Sequence, residues 1–209
     1  MIGKLDLRET DISSAFAQQA TSVGRVAIDC ETTGLDWRND RLETVQLYIP
    51  EVNECSIVRV NAGERAPNLM TLLRSPEAEK IFHHALFDLR FMTQIDDFVP
   101  ANTSCTKLAA KVIYPDLPRQ RHSLQSLLDR FLGVRISKDV QTSDWSTSRL
   151  SARQLEYAIE DVAYLAPLLD GLLASADRRH LEATVRDSFA YIPTRFSTDL
   201  RGCGDVFSY

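Results

Sequence analysis

The spacing of apolar positions changes along this chain. Early runs such as Val26-Ala27-Ile28 and residues 42–49 are rich in β-branched residues and bounded by turn formers, as strands are. Later, Leu124, Leu127, Leu128 and Phe131 recur at helical spacing, as do Leu155, Ala158, Ile159, Val162 and Leu165. In chain order the pattern predicts a helix over 12–21, capped by Asp11 with Phe16 and Ala20 on its apolar face. The strand at Val26-Ala27-Ile28 and strands over 42–49 and 55–60 follow as an antiparallel meander, with Pro50 and Asn53 at one reversal. After a loop over 62–67 come a short helix over 68–73, a brief strand over 80–83, and helices over 85–94 and 106–113. Ser123 caps a further helix running to Leu132, which Gly133 closes. Ser151 and Gln154 form a capping box for the longest helix, which Pro167 kinks and which resumes through Leu173 toward Leu181. Strands first and helices after each later strand make an α/β sheet with helices on its faces.

Residues 190–209 have no clear period and read as a C-terminal tail on a single domain spanning 1–209. The tail's aromatics, Phe189, Tyr191, Phe196, Phe207 and Tyr209, exceed what a solvated tail needs, so it is expected to pack on the domain or on a neighbouring subunit.

At 44% hydrophobic and 25% charged residues, the chain fits a globular protein with a sizeable core and excludes disordered and collagen-like classes. A net charge of −5 speaks against coating long duplex DNA through a basic face, but not against a short nucleic acid held at a metal ion. The first nine residues have no uninterrupted apolar stretch and nothing approaches a membrane span. Cys30, Cys55, Cys105 and Cys203 show neither C-x-x-C nor zinc spacing. Reduced thiols in a cytoplasmic protein are expected, with Cys30 packed in the core.

Three short patterns carry the chemistry. In Val26-Ala27-Ile28-Asp29-Cys30-Glu31-Thr32-Thr33-Gly34-Leu35, Asp29 and Glu31 share one strand face, where like charges call for a proton or a divalent cation. His84 and Asp88 lie one helical turn apart, and so do Tyr157 and Asp161. Asp161 sits in an apolar stripe, where a carboxylate needs a partner. Singly, each pattern also suits solvated or packing residues. Together, in this order, they form a constellation.

The constellation resembles the DEDDy branch of the DEDD exonuclease superfamily. Residues 136–145 and 150–165, with the Ser143-Asp144-Trp145 and Tyr157-x-x-x-Asp161 elements, resemble the ribonuclease D group, over about residues 20–173. About 35 residues remain after that, too few for the helical HRDC domains of ribonuclease D itself, so the chain looks like the short, nano-RNase-like members. Two positions depart from the pattern: His84 stands where asparagine is common, and Ser148-Arg149-Leu150 replaces Arg-Pro-Leu.

The resemblance implies a ribonuclease H-like mixed central sheet, antiparallel strands first and parallel strands after, flanked by helices. It implies that Asp29, Glu31, Asp88 and Asp161 bind two Mg²⁺ or Mn²⁺ ions, with Tyr157 orienting the attacking water. Two such ions stabilise the attacking and leaving oxygens at phosphorus. The expected activity is 3′–5′ exonucleolytic hydrolysis of single-stranded or very short RNA, releasing nucleoside 5′-monophosphates. A proofreading-type DNA exonuclease is the alternative within the same carboxylate set. A catalytically silent nucleic-acid-binding module predicts a missing carboxylate, and none is missing. Thr32, Thr33, Gly34 and Leu35 are expected near the terminal nucleotide, with His84 and Phe87 as further substrate contacts. Among basic residues that could track phosphates, Lys107, Arg119 and Arg121 lead over Lys111 and Lys138. Homo-oligomerisation is open; short members can form rings.

Overall fold

The computed structural model describes residues 3–61, 63–137, 139–140, 143–147 and 149–208. Lys138, Gln141, Thr142 and Ser148 of the motif stretches, and Tyr209 of the tail, lie outside the described residues.

One six-stranded sheet carries the fold, in the order β1-β4-β3-β2-β5-β6. β2 (Arg25–Thr32), β3 (Leu42–Ile49) and β4 (Glu54–Arg59) form the expected antiparallel meander. β5 (Glu79–Phe82) adds parallel to β2, and β6 (Thr103–Cys105) parallel to β5. The mixed sheet is thus antiparallel first and parallel after. β1 (Lys4–Glu9) pairs parallel with β4 at the opposite edge, a strand that the sequence pattern does not predict. Lys4-Leu5-Asp6-Leu7-Arg8 does alternate, but two apolar positions make a short signal, and both leucines stay exposed at the sheet edge.

Helices flank the sheet: α1 (Ser14–Val23), α2 (Pro67–Arg74), α3 (Ala85–Met92), α4 (Thr106–Ile113), α5 (Leu124–Leu132), α6 (Ala152–Ala163), α7 (Leu165–Arg178), α8 (Glu182–Ala190) and α9 (Ile192–Leu200). α4 and α5 have the bounds expected, and Gly133 closes α5 at φ 66°, a left-handed conformation that suits glycine. Ser13, not Asp11, caps α1; its hydroxyl accepts from the Phe16 amide at 3.1 Å. Asp11 serves α2 instead, accepting from the amides of Asn68 and Leu69 at 2.9 and 3.0 Å. A pairing across 57 residues leaves no local signal. The long helix breaks at Tyr164, where φ −104° and ψ 0° separate α6 from α7, rather than kinking at Pro167. Pro167 lies in the first turn of α7, where its missing amide costs little.

The stretch without period holds α9. Its Phe196 is fully buried and tilts against Phe98 at 5.3 Å. Asp199 of α9 is buried and ion-paired to Arg90 of α3 and to Arg195, the latter at 3.0 Å. This part of the tail packs on the domain, against the helix that carries Asp88.

Candidate active site

β2 delivers the carboxylate pair at the end of a buried run, Val26 to Ile28 being inaccessible to solvent. Its register with β3 sets Asp29 opposite Gln46 and Glu31 opposite Thr44, then shifts so that Thr32 faces Leu42. The bulge falls beside the pair, where an extra residue bends the strand and re-aims side chains. α6 brings in Asp161, and one oxygen from each of Asp29, Glu31 and Asp161 lies within 4.8 Å of the others. Ser151 and Gln154 fix the start of α6 as the expected capping box.

Asp88 is carried by α3. It stands outside that close trio, fully buried, with Oδ1 accepting from the Cys30 thiol at 3.3 Å. Its Oδ2 is buried with no hydrogen-bond partner among the described residues. An orphaned buried carboxylate oxygen is costly unless a cation meets it.

The charges reflect the crowding. Burial first, and then the Asp88, Asp161 and Glu31 carboxylates, push Asp29 well above the usual carboxylate range. Burial and the neighbouring Asp161 and Asp88 push Glu31 up to about 9. Asp88 rises to about 7, chiefly through burial. Among the described residues no lysine or arginine pairs with Asp29, Glu31 or Asp88, and Gln46 Nε2, donating to Asp29 Oδ2 at 2.9 Å, relieves only part of the charge. Hard oxygen donors without a basic counter-ion suit a divalent cation. Tyr157 is buried, hydrogen-bonded to Asp161, and pushed strongly upward by burial and by the Asp161 and Glu31 charges, so it keeps its proton.

The flanking residues fall into two groups. Thr32 Oγ1 donates to Gly34 O at 2.6 Å, and Thr33 pairs with Arg41 through both backbone and hydroxyl at 2.9 Å, so both threonines shape the turn after Glu31. Gly34 is needed there because a Cβ would stand 2.3 Å from the Asp40 carboxylate, which is itself held by the Asp36 amide at 2.8 Å. Leu35, 85% exposed, projects from this turn. On the second flank, the His84 and Phe87 rings lie nearly parallel, 6.0 Å apart. Burial and the charges of Lys107, Lys111 and Arg90 push His84 down to about 4, so its ring is neutral at pH 7. Lys107 is half-buried and feels Lys111 and Arg119, while Arg119 and Arg121 are exposed on the turn Arg119–His122.

Three further residues belong to the site in roles that the motifs do not indicate. Gln46 is a buried polar residue between Val45 and Leu47 on β3. Cys30 is buried as expected, yet its thiol touches Asp88, a contact that needs α3. Trp145 packs on Tyr157, rings 6.1 Å apart.

Carboxylates converging from one strand and two helices on a mixed sheet define an acidic centre of the nuclease class. The chain belongs to the 3′–5′ exonuclease family, which matches residues 7–176. It is 33% identical over 141 residues to DNA polymerase I of Aquifex aeolicus, covering 68% of this chain and 22% of that protein. To ribonuclease D of Haemophilus influenzae it is 30% identical over 172 residues, covering 82% of this chain and 41% of that one. The chain spans less than half the length of both these curated relatives. The structure of Brucella melitensis NrnC with bound Mg²⁺ matches at TM-score 0.88 and 33% identity over 99% of both chains. The same protein bound to pGG matches at TM-score 0.88 and 34% identity, over 99% of this chain and 98% of that one. The likeness thus covers part of ribonuclease D and almost the whole of NrnC.

Proposed function

We propose that this chain is a divalent-metal-dependent 3′–5′ exoribonuclease that removes nucleoside 5′-monophosphates from very short single-stranded RNA. The observation that carries the reading is the convergence of Asp29, Glu31 and Asp161 within 4.8 Å, with Tyr157 hydrogen-bonded to Asp161. Together with Asp88 these carboxylates would hold two Mg²⁺ or Mn²⁺ ions, balancing roughly four negative charges. Such ions lower the pKa of a bound water and stabilise charge on the attacking and leaving oxygens.

The protein's own groups supply position. Tyr157 stays protonated, so it orients the attacking water by hydrogen bond and is no general base. Cys30 and Gln46 fix the rotamers of Asp88 and Asp29. Leu35 packs on the terminal base, and the backbone from Thr32 to Gly34 meets its sugar. The neutral His84 ring and Phe87 offer a stacking face. Lys107 and Arg119, with Arg121 beyond, receive the phosphates.

The preference for short RNA is supported by NrnC, 34% identical and bound to pGG. Residues 1–209 act as one exonuclease domain. A cytoplasmic location is supported by four cysteines, all free. Self-association is supported by exposed Leu5 and Leu7 on the edge strand β1. No helix among the described residues is long and apolar enough to cross a membrane.

The test is a time course with Mg²⁺ or Mn²⁺ on 5′-labelled RNAs of two, seven and twenty-four nucleotides beside matching DNAs. Rapid loss of the RNA dinucleotide with slow loss of the long RNA is expected. A ladder on the long RNA would make the chain a general exoribonuclease. Faster cleavage of DNA would favour the activity suggested by the polymerase relative.

A further inference from the structure

Residues 143–147 form a strap whose construction serves one side chain. Asp144, Ser146 and Thr147 are exposed, whereas Trp145 between them is 2% exposed. The strap is fixed at both ends. Gln154, buried in the first turn of α6, donates from Nε2 to Ser143 Oγ at 3.1 Å and to the Asp144 carbonyl at 3.0 Å. Its Oε1 accepts from the Ser151 amide at 2.9 Å, so the residue that caps the helix also ties down the strap. At the far end the Arg59 guanidinium of β4 donates to the Thr147 carbonyl. Between them the Asp144 carboxylate accepts from the Ser146 amide at 2.9 Å and its hydroxyl at 2.6 Å, closing a tight turn around Trp145.

All of this places the indole against Tyr157, ring centroids 6.1 Å apart and planes inclined by 48°. Tyr157 lies one helical turn before Asp161, on the same buried face of α6. A tyrosine ring on one face of a helix can swing between staggered rotamers unless packing forbids it. Trp145 is the aromatic packed on this one.

We infer that Trp145 is a positioning residue for the proposed hydrolysis: it wedges the Tyr157 ring so that the hydroxyl stays at Asp161. The inference rests on the exonuclease reading and on the role of Tyr157 within it. The wedge works by shape, because the Trp145 Nε1 has no hydrogen-bond partner among the described residues. Phenylalanine therefore loses no hydrogen bond to a described residue and keeps part of the contact, whereas leucine cannot stack.

The experiment is a double-mutant cycle on the full chain: wild type, Trp145→Leu, Tyr157→Phe and the pair, with Trp145→Phe alongside, measured on pGG with saturating Mg²⁺. Trp145→Leu is expected to lower kcat about tenfold with KM nearly unchanged, since a displaced group costs rate rather than binding. Trp145→Phe recovers most of that loss. In the Tyr157→Phe background, Trp145→Leu costs nothing further. An equal loss in both backgrounds, or a rise in KM at constant kcat, overturns the wedge. A second readout needs no activity: 3-fluorotyrosine incorporated throughout gives a ¹⁹F signal for position 157, identified by its loss in Tyr157→Phe. That signal shifts or broadens in Trp145→Leu and returns toward its original position in Trp145→Phe; an unmoved signal in the leucine variant overturns the wedge. A wild type that leaves every RNA and DNA intact refutes the exonuclease reading, while the ¹⁹F result still decides the packing of Trp145 on Tyr157.

Discussion

Of the places where this protein buries carboxylates, two are built in opposite ways. On α9, Asp199 is met by two guanidiniums, Arg90 and Arg195, and its charge is satisfied by the protein itself. Around Asp29, Glu31 and Asp88 no basic side chain pairs with the carboxylates among the described residues, and Asp161 is met by the Tyr157 hydroxyl. A carboxylate paired with guanidiniums binds the fold together; a crowded carboxylate cluster without basic partners suits a divalent cation. The same residue type is structural in one place and chemical in the other, and only its surroundings distinguish them.

The largest effect that sharpens this contrast is expected from Asp161→Asn. It removes a cation ligand, and several kcal/mol of transition-state stabilisation correspond to a loss of about 10³-fold in kcat/KM. The same substitution relieves repulsion, so the metal-free variant melts higher than metal-free wild type; a lower melting temperature would mean that Asp161 stabilises the fold as Asp199 does. Asp199→Ala should do the reverse, costing about 3 kcal/mol of stability by leaving Arg90 without its carboxylate and Arg195 with Asp205 alone. Activity per folded molecule should hold, as read by denaturant melts beside active-site titration. Tyr157→Phe comes next, lowering kcat about 10²-fold while leaving metal affinity alone, since the hydroxyl positions water rather than the ion.

The smallest effect per unit of pH is in stability. Metal-free, the folded chain keeps protons on Asp88 up to about pH 7 and on Glu31 up to about 9, whereas unfolded carboxylates lose theirs near about 4. The folded state therefore binds more protons in between, and stability is full below about pH 4 and declines as pH rises toward 9. Melting temperatures in a chelator should fall between about pH 5 and 9, and Mg²⁺ should flatten the decline by binding only the folded chain. A chelated protein that gains stability over this range would contradict the repulsion.

Most of the site's chemistry is legible in the sequence. Asp29 and Glu31 share a strand face because side chains alternate, and Tyr157 and Asp161 share a helix face because they are four residues apart; both are local facts. α5 is equally plain, since its cap Ser123, its leucine stripe and its closing Gly133 agree. What escapes a sequence reading depends on distant partners. Asp11 reads as a cap for the helix that follows it, yet serves one 57 residues away. α9 has too few apolar positions for a clear stripe, and its order comes from Phe196 and the Asp199 ion pairs with α3 and its own Arg195. Gln46, Cys30 and Trp145 become site residues only because β3, α3 and the strap are brought to the carboxylates. The motif stretch around Trp145 carries the resemblance, but nothing in its spacing points to Tyr157.

The most direct test of the central claim is calorimetric titration of Mn²⁺ into the chelator-stripped protein in the presence of a nucleoside 5′-monophosphate, for wild type and Asp29→Asn. Wild type should take up two ions per chain and Asp29→Asn at least one fewer. Equal uptake by both, or none by wild type, would mean that the acidic cluster is not a metal centre.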